Sequence, residues 1–229
     1  MKLHYETVSP TLQRILHQLM ELESLRDFRL VGGTSLALQR GHRRSIDIDL
    51  FTDADYGTMP LDAIFKDIES AFPIHRDIES LQQSALGYSL RIGYEPSSIV
   101  KVDLFYTEKF IFDIIEVNNL RLADEREIAA MKLLAIGNGS YRQKDYWDIR
   151  ELLDSYSLKD LIQWSLQRHP YSIEEKDIIT ALQNVDFVQE STEGIDSLKH
   201  LDFWELKRAE IKDYVAHYIE KEDSASHDS

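Results

Sequence analysis

The chain of 229 residues contains no cysteine. That excludes disulfides, thiolate metal sites and cysteine nucleophiles, and it suits a reducing compartment. No apolar run approaches the roughly 20 residues that a membrane-spanning helix needs. The opening Met1-Lys2-Leu3-His4-Tyr5-Glu6 does not read as a signal peptide. The expectation is a soluble, cytoplasmic protein with no membrane partner. Basic side chains are outnumbered, 26 Lys and Arg against 41 Asp and Glu, for a net charge of −15. This balance argues against broad nonspecific nucleic-acid binding, which depends on a basic surface releasing counterions. It leaves room for a local basic groove, to which Arg40, His42, Arg43 and Arg44, and later Lys132, Arg142 and Lys144, would contribute. No internal repeat is visible. A hydrophobic content of 43% supports a sizeable core without crosslinks.

What is present concentrates in Val31 to Phe51, VGGTSLALQRGHRRSIDIDLF. It reads as a strand end, a Gly32-Gly33 turn, a short helix around Leu36-Ala37-Leu38, a loop and a second strand. In Ile46-Asp47-Ile48-Asp49-Leu50-Phe51 the two acids stand two apart. Successive strand side chains alternate faces, so both carboxylates project to one side. Like charges on a half-buried face repel and resist desolvation, and a divalent cation would remove that conflict. Mg²⁺ prefers carboxylate oxygens and keeps positions open for substrate phosphates. A glycine turn entering a helix, with Thr34 and Ser35 beside it, offers N–H groups and hydroxyls to a phosphate. Taken singly, Gly-Gly is an ordinary turn and Asp-x-Asp an ordinary polar strand face. Their convergence, joined by basic Arg43-Arg44, points to a metal and a triphosphate.

Along the rest of the chain, Ser9-Pro10 opens an amphipathic helix carrying Leu12, Ile15, Leu16, Leu19 and Met20. Phe28 to Val31 reads as the first strand and Asp62 to Phe72 as a helix. Ile74–Leu81, Ser84–Tyr94 and Ile99–Tyr106 read as three strands extending the sheet in antiparallel fashion. Within the last, Asp103 is an acid inside an apolar strand, where acids are rare unless paired or bound to metal. It reads as a metal ligand or a base, or else as a partner of Lys101. Phe110–Val117 and Leu120–Leu122 read as short strands. Asp124 and Glu127 frame a helix start as a capping box, with Ile128, Met131, Leu134 and Ala135 as its buried stripe and Lys132 on the flank. Arg142 to Tyr156 reads as the next helix. It has Tyr146, Ile149, Leu152 and Leu153 inward, and Lys144 is spaced to pair with Asp148. Ser157 to His169, a helix capped by Ser172 and Glu175, and Trp204 to Glu220 complete a helical remainder. His169, His200 and His217 are scattered, and none reads as a ligand.

The blocks Gly32-Gly33-Thr34-Ser35-Leu36 and Arg43-x-Ser45-x-Asp47-x-Asp49-Leu50-Phe51 resemble the signature of the nucleotidyltransferase superfamily. With Lys132 in AAMKLLA and the segment Arg142-Gln143-Lys144-Asp145-Tyr146-Trp147-Asp148-Ile149, they are similar more narrowly to the AbiEii/AbiGii toxin family. The resemblance implies an α+β fold: a nucleotidyltransferase-like mixed β-sheet core with flanking helices, residues 1–122, then a C-terminal helical bundle, 123–223; the low-complexity composition of the terminus adds the expectation of a disordered tail, 224–229. It implies transfer of a nucleotide from a nucleoside triphosphate to an acceptor hydroxyl, with Mg²⁺ held by Asp47, Asp49 and Asp103. Gly32, Gly33, Thr34, Ser35, Arg43, Ser45 and Lys132 would bind the nucleotide. Asp145 would belong to the active site, by orienting Lys132 or Arg142 or by assisting deprotonation; Asp148 is a less direct match. A tRNA or other RNA acceptor and a cognate antitoxin are the implied partners. A small-molecule nucleotidyltransferase of the aminoglycoside-modifying kind, and a non-catalytic binding module on the same fold, are the competing readings.

Overall fold

The structure, a computed structural model, describes residues 1–77, 86–190, 196–198 and 203–227. The chain divides into two compact units, Met1–Glu125 and Arg126–Ser229, against an expected division after 122.

In the first unit, α1 (Pro10–Glu21) starts where the sequence indicates. Pro10 has no N–H to leave unsatisfied, and Ser9 Oγ accepts from the Leu12 N–H at 3.1 Å. Leu12, Ile15, Leu16, Leu19 and Met20 form the buried stripe. There follow β1 (Arg29–Leu30), α2 (Gly32–Arg40), β2 (Ile48–Thr52), α3 (Leu61–Ala71), β3 (Ile74–Asp77), β4 (Gly87–Gly93), β5 (Ile99–Tyr106), β6 (Ile115–Val117) and β7 (Leu120–Leu122). The seven strands form one mixed sheet in the order β3-β4-β5-β2-β1-β7-β6. β3, β4 and β5 run antiparallel, as expected for the extension, while β2 lies parallel to β5 and antiparallel to β1.

Alternation makes this sheet two-sided. Ile48 and Leu50 of β2, Val102 and Leu104 of β5, and Leu30, Leu120 and Leu122 belong to one apolar cluster with α1 and with Ile64 and Ile68 of α3. The intervening residues Asp49, Phe51, Lys101, Asp103 and Phe105 are half-buried on the other face. The mixed sheet and helices match the expected fold class.

Several local expectations are corrected. β2 begins at Ile48, not Ile46, which is exposed, so Asp47 sits immediately before the strand. Gly32 and Gly33 lie inside the first turn of α2 instead of forming a separate turn. Phe110–Ile114 is loop, and only Ile115–Val117 pairs. Residues 78–85, where one expected strand ended and another began, lie outside the described residues.

The chain then continues through α4 (Glu125–Gly137) and, in the second unit, α5 (Gln143–Leu152), α6 (Leu158–Arg168), α7 (Glu175–Gln183) and α8 (Trp204–His227). α4 starts one residue after Asp124, but its buried face is Ile128, Ala129, Lys132, Leu133 and Ile136. Met131, Leu134 and Ala135 are only partly covered. Glu127 is fully buried, and its Oε1 lies 2.7 Å from Arg168 Nε of α6. Ser157 caps α6 in a box with Asp160. α7 is capped by Glu174 with Asp177, not by Ser172. Trp147 and Trp204 stack at 6.5 Å between centroids, fastening α5 to α8. The last helix carries on through 224–227, a stretch whose composition suggested a tail. Of the expected loop 186–203, residues 185–187 form a 3-10 turn, and 191–195 and 199–202, including His200, lie outside the described residues. Among the described residues no helix is long and apolar enough to cross a membrane.

Candidate active site

In the first unit the site is built on the register between two parallel strands. Ile48 stands beside Val102, Asp49 beside Asp103 and Leu50 beside Leu104. Residues side by side in a ladder share a face and lie about 4.8 Å apart. Asp49 and Asp103 are therefore neighbours across the pair, with Asp47 immediately ahead of the strand. Phe51 and Phe105 continue the same face, their rings 5.8 Å apart.

A fourth charged group stands among the acids. Lys101 Nζ is 2.6 Å from Asp103 Oδ2, so the pairing that the sequence left open is formed. Burial alone would push the Lys101 ammonium down; the hydrogen bond and charge of Asp103, with the charges of Asp47 and Asp49, outweigh it and raise its pKa. The other carboxylate oxygen, Asp103 Oδ1, is buried and has no hydrogen-bond partner.

The Gly-Gly pair is explained by what lies against it. Gly32 has φ +66°, a left-handed conformation that disfavours any side chain, and a Cβ there would fall on Asp49 Oδ2. A Cβ on Gly33 would fall on Arg43 Nη2. One glycine thus admits the carboxylate and the next admits the guanidinium. Arg43 is almost wholly buried and donates from Nη1 to the Arg44 carbonyl at 3.0 Å. At the start of α2 no side chain caps the helix, and the N–H groups of its first residues have no carbonyl within the helix to bond.

Thr34 and Ser35 are buried. Thr34 Oγ1 bonds to the Asp47 carbonyl and, at 2.8 Å, to Ser45 Oγ. A carbonyl can only accept, so Thr34 donates to Asp47 and the Ser45 hydroxyl donates to Thr34. Ser35 Oγ accepts from Gln39 Nε2 at 3.1 Å. The Thr34 and Ser45 hydroxyls thus tie α2 to the segment carrying Asp47, whereas the Ser35 hydroxyl bonds within α2. Of the basic residues after α2, Arg40 is joined to Glu125 by two bonds of 2.5 and 2.7 Å, and His42 is buried like Arg43. Arg44 is exposed.

The second unit holds the remaining candidates, Lys132 and Asp145, together with Asp148. Lys132 Nζ lies 2.9 Å from Asp145 Oδ1 and 2.7 Å from Asp148 Oδ2, with all three side chains buried. Asp148 thus pairs with Lys132, not with Lys144. Asp145 also accepts from Arg142 Nε at 2.8 Å, so it contacts both of the groups that one of its two open readings would have it orient. Burial pushes the Asp145 carboxyl up, but the charges of Lys132 and Arg142 win and hold it below the usual carboxylate range, with Asp148 opposing. Sequence reasoning treated Lys101 and Asp148 as secondary. Spacing already placed Lys101 on the acid face, while nothing local marks Asp148 as the partner of Lys132.

The donor set of the acid face is all carboxylate oxygen, which suits Mg²⁺, and the unpartnered Asp103 Oδ1 provides a free acceptor there. As they stand, no three His, Asp or Glu side chains among the described residues are grouped to hold a metal ion. An ammonium already engages the third acid of the set.

Comparison with known proteins gives a consistent relationship. The family model described as nucleotidyl transferase AbiEii toxin, type IV TA system, matches residues 14–228. An uncharacterized protein of Aquifex aeolicus (strain VF5) is 26% identical over 220 residues, covering 90% of this chain and 94% of that protein. The structure of JHP933 from Helicobacter pylori superposes with a TM-score of 0.55 at 13% identity, covering 98% of this chain and 94% of that one. A second H. pylori structure gives 0.56 at 14% identity, covering 93% and 94%. At such identities the two structures show a shared fold.

Proposed function

This chain belongs to the AbiEii nucleotidyl transferase toxin family, and from that premise we propose that it uses Mg²⁺ and a nucleoside triphosphate to transfer a nucleotide to a hydroxyl of RNA. In this reading the 3′ end of tRNA is the acceptor, and the protein is the toxin of a bacterial toxin–antitoxin pair. The observation that carries the reading is the acid face, with Asp49 in register with Asp103, Asp47 preceding, and the start of α2 against Asp49.

Asp47, Asp49 and Asp103 would hold the ion, which when bound neutralises the triphosphate and stabilises charge at the α-phosphorus. The N–H groups of Gly32, Gly33 and Thr34 hold phosphate oxygens, as helix starts do. Thr34, Ser45 and Arg43 keep that turn in shape beneath them, and Ser35 braces its first turn. In the second unit, Asp145 and Asp148 hold the Lys132 ammonium in place. The acceptor oxygen attacks the α-phosphorus in line and forms the new P–O bond. The bond to the α,β-bridging oxygen breaks, pyrophosphate leaves with the electron pair, and the hydroxyl proton passes to a carboxylate of the acid face.

The test is incubation of the protein with each of the four α-labelled nucleoside triphosphates, Mg²⁺ and total RNA. Label is expected in the tRNA fraction and is lost in the Asp47→Ala, Asp49→Ala protein. Transfer that survives in that variant refutes the reading. Label appearing on a cationic aminoglycoside in place of RNA moves the acceptor to the small-molecule class.

A further inference from the structure

Two carboxylates side by side on one sheet face, with a third just ahead of the strand, need compensating charge, and the protein supplies a cation of its own at that place. Lys101 precedes Asp103 by two residues on β5, so it shares the face that carries Asp103 and Asp49. Its ammonium is 2.6 Å from Asp103 Oδ2. The side chain is 37% exposed, against 15% for Asp103. It therefore lies along the mouth of the face, and its four-carbon stem can swing into solvent. Lys132 in the second unit differs: it is 8% exposed and held by two buried acids.

We propose that Lys101 is an exchangeable counter-ion of the acid face: its ammonium and a divalent cation compete for Asp103, and the lysine must release Oδ2 before three carboxylates can close on one ion. Two observations besides the ion pair support this. Asp103 Oδ1 has no hydrogen-bond partner, so the carboxylate is held by one oxygen only and can turn. Among the described residues no three His, Asp or Glu side chains are grouped to hold an ion as the side chains stand. Lys101 is thus a positioning residue. It keeps the acids together when no divalent ion is bound and sets the concentration at which one enters. The inference rests on the proposed function, because that reading makes the three acids an ion site.

The test uses the whole protein and Mn²⁺ as the probe, with binding followed by calorimetry and thermal unfolding measured in chelator and in Mn²⁺. Lys101→Met keeps most of the stem and removes the charge. It is expected to bind Mn²⁺ about tenfold more tightly than the wild type, to melt lower in chelator, and to gain more from Mn²⁺. Lys101→Arg keeps the charge and adds a fork matched to carboxylate, so it should bind the ion no more tightly than the wild type. A lysine with a merely structural role predicts the opposite, weaker binding in Lys101→Met. Equal or weaker binding there, with the wild type binding normally, overturns the role of Lys101 and leaves the proposed function standing. A wild type that binds no Mn²⁺, with or without nucleoside triphosphate, overturns both. Should Lys101→Met not fold, Lys101→Gln carries the same expectations.

Discussion

Replacing Gly32 by alanine separates two effects that the structure superimposes there. The residue has φ +66°, and a non-glycine residue in the left-handed region costs about 1–2 kcal/mol. The new Cβ also falls on Asp49 Oδ2, inside 3.0 Å, so the carboxylate must rotate away. Forcing a packed group aside costs roughly 1–3 kcal/mol, giving a total of about 2–5 kcal/mol. Gly57 is a natural control, since it has φ +84° with nothing within 4 Å of an added Cβ. Gly57→Ala should therefore lose about 1–2 kcal/mol from backbone strain alone. The decisive measurement is a double-mutant cycle by urea unfolding, using wild type, Gly32→Ala, Asp49→Ala and the double variant. If the clash is with the Asp49 carboxylate, removing that carboxylate relieves it, and the two changes should couple by about 1–3 kcal/mol. Additivity to within about 0.5 kcal/mol would refute the reasoning. It would mean that Asp49 does not pack against the turn as described.

The cluster in the second unit gives two more predictions. Lys132→Met leaves Asp145 and Asp148 facing each other in the interior without their shared cation, and it should cost about 3–5 kcal/mol in urea unfolding. Asp145→Asn, which removes one acid and keeps the shape, should partly rescue it. The Asp145 carboxyl sits below the usual range in the folded protein, so the unfolded state binds its proton first as pH falls. Its stabilising contribution is therefore complete above the unfolded value of about 3.9 and is lost as pH drops below that, through the depressed folded pKa. The stability difference between wild type and Asp145→Asn should be flat near neutrality and shrink in acid. A difference that grows on acidification contradicts the assignment.

Much of the framework was readable from short-range pattern. Ser9-Pro10 marked the first helix because a side-chain cap and a missing N–H are local properties. Ile99–Tyr106 was readable because strict alternation leaves few other solutions. The α4 stripe was misread because apolar residues surround that helix, so periodicity cannot choose a face. It is the buried Lys132, satisfied by acids 13 and 16 positions along (145 − 132 and 148 − 132), that decides which side turns in. Ile46 continued the alternation of β2, but pairing with β5 begins only at Ile48, so the strand does not extend that far. Ser172 had the right spacing for a cap, yet Glu174 with Asp177 closes the box instead.

At the acid face the division is clear. Alternation within one strand determined that Lys101 and Asp103 look the same way, because the two-residue period belongs to the chain itself; the same pattern predicted it for Asp47 and Asp49, but β2 begins only at Ile48. Nothing in that period relates one strand to another. The tertiary structure decided that β2 lies parallel to β5 in the register that puts Asp49 beside Asp103, that the space above Gly32 belongs to a carboxylate, and that a lysine stands among the acids. Those are choices between segments some 50 residues apart, and they are made by the packing of both strands' apolar faces into one core.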